Sequence, residues 1–318
     1  MIKTITSYFD IRSKLTQFSV LIFLFSLTSL FQLFNQPRLF YSSAVSLVLI
    51  HIFILVYYLI SKKYLHDKLL NLQNIIISTN IIYLIVHPME FDGFNNLAFF
   101  DLFLAVFLGV ICNRFLRYKG FPIFNPAALA VLLTFIFTSL LVQLDLRDMP
   151  IFISWWGANL LKISDIDSIS NFVTALIVGS LFVYYSNGFK KFYYGFVFLI
   201  SYFLLYFGFA IMDNQTINGT LLHFINVVLT FGIFFAFVML SEPKTSPIGK
   251  EILVIYGFIA AFVYFLLDVF SKAGFTNFGF LDLGDNIAIC TIILMNLIYF
   301  IQKYTKNVSK NKSYYIKQ

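Results

Sequence analysis

The chain alternates long apolar runs with short polar breaks. Ten runs stand out: Leu15–Phe34, Leu39–Ile60, Leu70–Val86, Leu97–Phe115, Phe124–Leu144, Ile169–Tyr185, Phe192–Met212, Leu221–Leu240, Glu251–Phe270 and Asp285–Lys303. Each is roughly 17–22 residues, the length a helix needs to cross the hydrocarbon of a bilayer with some tilt. The pattern predicts an all-α polytopic membrane protein with about ten transmembrane helices. Residues 1–318 form a single membrane domain with short tails. The first run follows Arg12 and Lys14, and no small-residue cleavage site comes after it, so it reads as a retained helix rather than a signal peptide.

Composition agrees. Hydrophobic residues make up 60% of the 318 and charged residues only 12%, against about 25% charged in soluble domains. Mean hydropathy is +0.86. An ordinary soluble enzyme is excluded, and no residues remain for a separate nucleotide-binding domain. The 42 Phe, with Ile, Lys, Asn and Tyr also over-used, read as codon bias toward A and T rather than as a binding feature. Cys112 and Cys290 both lie inside apolar runs with no metal-ligand spacing, so neither a disulfide framework nor a metal site is expected.

The net charge of +7 does not indicate nucleic acid, because the positions of the charges explain it. With the N-terminus inside and ten crossings, all 22 Lys and Arg except Arg38, Arg147, Lys162 and Lys272 fall in cytoplasmic segments. This is the positive-inside bias. Both termini are expected in the cytoplasm, with the chain multi-pass in the inner or plasma membrane of the cell.

Ten crossings divide into two sets of five, about residues 15–144 and 169–303. An odd number per half makes the second half enter from the opposite side, which is the arithmetic of an inverted repeat. His87-Pro88-Met89-Glu90, after the third run, and Ser241-Glu242-Pro243-Lys244, after the eighth, occupy equivalent places under that symmetry.

Two cytoplasmic segments carry chemistry. In the first, Arg114, Arg117 and Lys119 precede Phe124-Asn125-Pro126-Ala127-Ala128, where Asn at an N-cap and Pro at the first helical position make a clean helix start. Exposed amides beside three cations would favour an anion or an electron-rich ligand; a plain helix cap is the alternative. In the second, Glu242-Pro243-Lys244-Thr245-Ser246-Pro247 has two prolines that prevent a continuous helix. It is either a turn or a folded loop that lines something.

These segments, followed by Ile293-Leu294-Met295-Asn296, resemble in order and spacing the membrane family shared by the D subunit of the Rnf electron-transport complex and the B subunit of the sodium-pumping NADH:quinone reductase. The resemblance covers roughly residues 15–305. It implies a ten-helix inverted-repeat fold similar to that of urea transporters, and partner membrane and redox subunits. It also implies a non-covalent flavin (riboflavin or FMN) toward the cytoplasmic side, with Asn125, Pro126, Glu242, Lys244, Thr245 and Ser246 at the matching places. Family members with covalent FMN attach it to a Thr in an S-G-A-T stretch after the fifth helix. Here that region runs from Leu144 to Asn159 without S-G-A-T, and no Thr occurs between Leu141 and Asn171. No covalent FMN is therefore expected.

Within the runs, Asp101, Asp268 and Asp285 sit at outer depth. Membrane-embedded acids are costly and usually face a polar interior, so the three could line an ion path; the alternative is that Asp285 caps its helix and Asp268 reaches water. His51, Asn80, His223 and Asn226 read as interhelical hydrogen-bonding residues. No catalytic residue is assigned. The expected function is an integral membrane subunit of an Rnf/NQR-type ion-coupled electron-transport complex. The alternatives are a transporter or channel without redox chemistry, or a membrane anchor for a soluble reductase.

Overall fold

A computed structural model describes residues 14–64, 72–86, 97–151, 153, 155, 168–213, 216–228, 232–242, 244–274, 277–278, 281–282 and 286–315. It is all-helical apart from two short hairpins. The helices are α1 (Lys14–Ser29), α2 (Pro37–Tyr64), α3 (Leu72–Ile85), α4 (Leu97–Phe115), α5 (Pro126–Gln143), α6 (Ser168–Gly188), α7 (Phe192–Met212), α8 (Ile217–Val227), α9 (Lys250–Lys272) and α10 (Ile287–Tyr315). A 3-10 turn, Leu30–Leu33, follows α1, and a π-helical segment, Phe235–Leu240, comes between α8 and α9.

Among the described residues, five helices are long and apolar enough to cross a membrane: Pro37–Ser61 of α2, α5, α7, α9 and Ile287–Tyr304 of α10. This is fewer than the ten crossings expected from the sequence; α1 and α3 are apolar but shorter. In α1 the Ser26 and Ser29 hydroxyls bond back to Ile22 O and Phe25 O at 3.0 and 2.8 Å. Such back-bonding bends and weakens a helix, and α1 tightens into the 3-10 turn ahead of Pro37. In the eighth apolar run α8 ends at Val227 and the π-helical segment begins at Phe235, and a Cβ on Gly232 would come within 2.9 Å of Val227 O. Helix α3 has 14 residues.

Two short segments form the centre. Ten residues of α3 are buried, including the whole of Thr79–Ile85, and so are all six residues of Phe235–Leu240. Around them α1, α2, α4 and α5 pack on α3, while α6, α7 and α10 pack on the π-helical segment. Helix α4 packs on α5 and α9 on α10; α2 packs on α4 and α7 on α9; α5 meets α10 across the halves.

The most intimate contact joins α7 to its neighbours. A Cβ on Gly195 would stand 2.8 Å from Ala236 O, and one on Gly257 would stand 2.8 Å from Tyr194 O. Small residues let backbones approach this closely where burial from water supplies no drive between helices. The outer faces stay apolar: Val45, Val48, Ile52 and Val56 of α2 and Ile255, Phe258 and Phe262 of α9 are exposed. Apolar surface of this extent suits lipid rather than water.

Candidate functional site

The loop before α5 is a tight hairpin. β1 (Arg117–Tyr118) pairs antiparallel with β2 (Phe121–Pro122), Tyr118 opposite Phe121. The two-residue connection needs positive φ at both positions, and Lys119 at 49° and Gly120 at 83° supply it. The hairpin delivers Asn125 to the N-cap of α5, where its Oδ1 accepts from the amides of Ala127 and Ala128 at 3.0 and 3.2 Å.

Asn125 is also a junction. Its backbone amide donates to Asn296 Oδ1 of α10 at 2.6 Å, and its Nδ2 donates to Met239 O at 3.4 Å. Asn296 Nδ2 in turn donates to Thr245 O at 3.2 Å. Inside the loop after the π-helical segment, the Thr245 hydroxyl donates to Glu242 Oε2. The Ser246 hydroxyl donates to Glu242 O at 2.6 Å. From the other flank the buried ammonium of Lys191, at the N-terminus of α7, donates to Ser246 O at 3.0 Å and to Pro247 O.

The three segments quoted from the sequence thus meet in one hydrogen-bonded junction. The roles within it differ from the sequence expectation. The first amides of α5 are taken by the Asn125 side chain, so they do not face outward for an anion. Thr245 and Ser246 direct their hydroxyls to Glu242, so they shape the loop.

Beside the junction lies a small open cavity, lined by Asn125, Glu242, Lys244 and Asn113 and by apolar side chains that include Leu15, Phe18, Ile77 and Ile81. Asn113 was passed over in the sequence; the only signal was its place among the cations ahead of the hairpin. It is 2% exposed. Arg117 Nη2 donates to its Oδ1 at 3.0 Å, which leaves Nδ2 a buried donor without a partner. Lys244, half-buried, makes no ion pair among the described residues. Burial pushes the Lys244 ammonium down, against the Glu242 charge that holds it up. Burial pushes the Glu242 carboxyl up, opposed by the Thr245 hydrogen bond and then by Lys244 and Lys191. The cavity therefore brings the Asn113 amide, the Lys244 amine and the Glu242 carboxyl to one place.

Asp101 and Asp268 do not line this cavity. Asp101 is engaged at both oxygens by Arg147, at 2.5 and 2.6 Å, with both side chains buried. Asp268 pairs with Lys272 one turn on, at 2.8 Å. Asp285 lies outside the described residues, as do the side chains of His223 and Asn226. His51 and Asn80 do meet, at 3.2 Å. Between α5 and α6, Ile153 bridges to Val86 and Trp155 N donates to Ile85 O at 3.0 Å, so these residues pack on the end of α3.

Fold and site together define a multi-pass helical membrane protein with a small cavity, lined by apolar and polar side chains, beside a hydrogen-bonded junction of three distant segments. Neither a protein-family model nor a curated protein matches the chain.

Proposed function

We propose that the chain is an integral membrane subunit of an ion-coupled electron-transport complex of the Rnf/NQR kind. In this reading it crosses the membrane ten times as two inverted sets of five, keeps both termini in the cytoplasm, and binds a flavin without a covalent link. The observation that carries the reading is the junction: Asn125, Thr245 and Asn296, from three distant segments, hydrogen-bond together beside a cavity with an orphaned buried donor. The packing pattern supports the inverted repeat. The pairs α1 with α3, α2 with α3, α2 with α4, α3 with α5 and α4 with α5 recur five elements later, if the π-helical segment stands for the eighth crossing. The α5–α10 contact then relates to itself, as a symmetry-axis contact must.

The cavity's groups fit the polar edge of an isoalloxazine. Asn113 Nδ2 would donate to a ring carbonyl, Lys244 would lie near the electron-rich edge, Glu242 would accept from the ring N–H, and Phe18 offers an aromatic wall. A bound flavin would supply electron transfer, while these residues bind and orient it.

The test is retained flavin in detergent-purified protein, by absorbance before and after denaturation. The wild type should carry flavin that denaturing electrophoresis removes, and Asn113→Ala or Lys244→Gln should lower retention about tenfold, the equivalent of one lost charge-assisted contact. A wild type with no flavin, or variants that retain as much as wild type, would overturn the site and favour transport without redox chemistry.

A further inference from the structure

The end of α10 and the hairpin build a second surface that the cavity does not use. Tyr118 packs edge-on against Phe300 and Tyr304, with centroids 5.5 and 5.9 Å apart. Lys303 lies over the rings of Phe121 and Tyr299, at 4.9 and 5.6 Å, and Lys119 lies 5.4 Å from the Tyr118 centroid. The hairpin pairing places Tyr118 opposite Phe121, so Lys119 and Lys303 belong to one aromatic cluster. Both lysines are exposed, and neither makes an ion pair among the described residues.

The surroundings combine positive charge with exposed apolar area. No acidic residue occurs in the sequence from Leu116 to Asn125 or from Asn296 to Gln318. Phe115, Leu116 and Phe121 are exposed, and Phe121 lies under Lys303. Helix α10 runs to Tyr315, and its sequence turns polar from Gln302 onward. Lys306 and Lys310 follow Lys303 at helical spacing, and Lys312 and Lys317 come after. A basic run directly after a membrane-crossing helix attracts acidic headgroups, and aromatic rings with lysine beside them sit at the membrane–water boundary.

We propose that this ledge is a binding site for the headgroup of an anionic phospholipid, with Lys119 and Lys303 neutralising its phosphate and Phe121 lying along its acyl chain. The proposal rests on α10 crossing the membrane and is independent of any flavin. A lipid fits better than a free phosphate, because the exposed apolar residues beside the lysines have no role toward an inorganic ion. Bound lipid would fix the end of α10, the helix that carries Asn296 into the junction.

The test uses the full chain in mild detergent, with added phosphatidylglycerol, phosphatidylcholine or inorganic phosphate. Phosphatidylglycerol should raise the thermal midpoint above phosphatidylcholine at equal lipid. The excess should fall by at least half in Lys119→Gln/Lys303→Gln and in high salt. Lys119→Gln alone, in an exposed turn, should lose part of the excess and guards against misfolding of the double variant. Native mass spectrometry should show phosphatidylglycerol retained several-fold over phosphatidylcholine in the wild type. Equal stabilisation by the two lipids, an excess unchanged in the variants, or an equal effect of inorganic phosphate would each overturn the proposal; the first two outcomes would assign the ledge to an acidic protein face.

Discussion

Asn296 and Asn125 join the two halves of the chain: the Asn125 amide donates to Asn296 Oδ1 at 2.6 Å, although 171 positions separate them. The same Asn296 side chain donates to Thr245 O at 3.2 Å. Only a carboxamide presents an acceptor and a donor in this way at one buried position. Truncation leaves a backbone N–H and a backbone C=O unpaired, each at a cost of about 1–3 kcal/mol. Asn296→Ala should therefore lower the detergent unfolding midpoint markedly. Asn125→Ala should do the same, since the cap and the Met239 contact go with it. A double variant no worse than either single one is the expected sign of a shared network. Fully additive losses would mean that the two residues act separately.

The Asp101–Arg147 pair predicts a different pattern. It is bidentate and buried on both sides. Breaking a buried pair strands a charge and costs about 3–5 kcal/mol, whereas replacing both members can be nearly neutral. Arg147→Met should be severely destabilising, and Asp101→Leu should rescue it. If Asp101 instead served as a free cation-attracting carboxylate, Arg147→Met would leave stability close to wild type and alter cation uptake in liposomes.

The sequence carried the positions of the helices but not their interruptions. Every apolar run holds a helix, because hydrophobicity over about twenty residues leaves the backbone no other way to satisfy itself in lipid. The 3-10 turn that follows the serine back-bonds of α1 and the π-helical segment are features that no window average reports. At the site, charge counting placed the Asn125 and Glu242 segments on one side of the membrane, where an inverted repeat could bring them together, but that Asn296 joins them was not legible. Nor was it legible which atoms stay free: the first amides of α5 looked available until the Asn125 side chain capped them, and Asn113 looked like one polar residue among cations. Pairing of Asp101 with Arg147 was equally hidden, since a loop arginine gives no sign that it folds inward.

The α7 contacts give a steric prediction. A methyl on Gly195 would meet the carbonyl oxygen of Ala236 at 2.8 Å, and one on Gly257 would meet Tyr194 O at the same distance. Backbone oxygens cannot rotate away, so the helices must separate. Overpacking of this sort typically costs about 1–3 kcal/mol. Gly195→Ala and Gly257→Ala should each lower the unfolding midpoint, while Gly208→Ala, with open space around its Cβ position, should not. Similar midpoints for all three would show that α7 packs more loosely.

Lys191 gives a prediction in pH. Its ammonium is buried against the carbonyls of Ser246 and Pro247. Burial takes it from 10.5 down to about 8, against the opposing charge of Glu242. Between those two values the unfolded chain holds this proton and the folded one does not, so the contribution of Lys191 to stability rises with pH across that window. The slope is about 1.4 kcal/mol per pH unit at most. Below about pH 8 the proton is held in both states, and this group adds no slope. Relative to Lys191→Met, which has no proton to lose, the wild type should gain stability from pH 8 upward. Lys191→Arg stays charged throughout and should lack the gain as well. Unfolding midpoints at matched ionic strength measure this directly. The same rise in the wild type and both variants would assign the titration to some other group and leave Lys191 as a fixed tether of the loop.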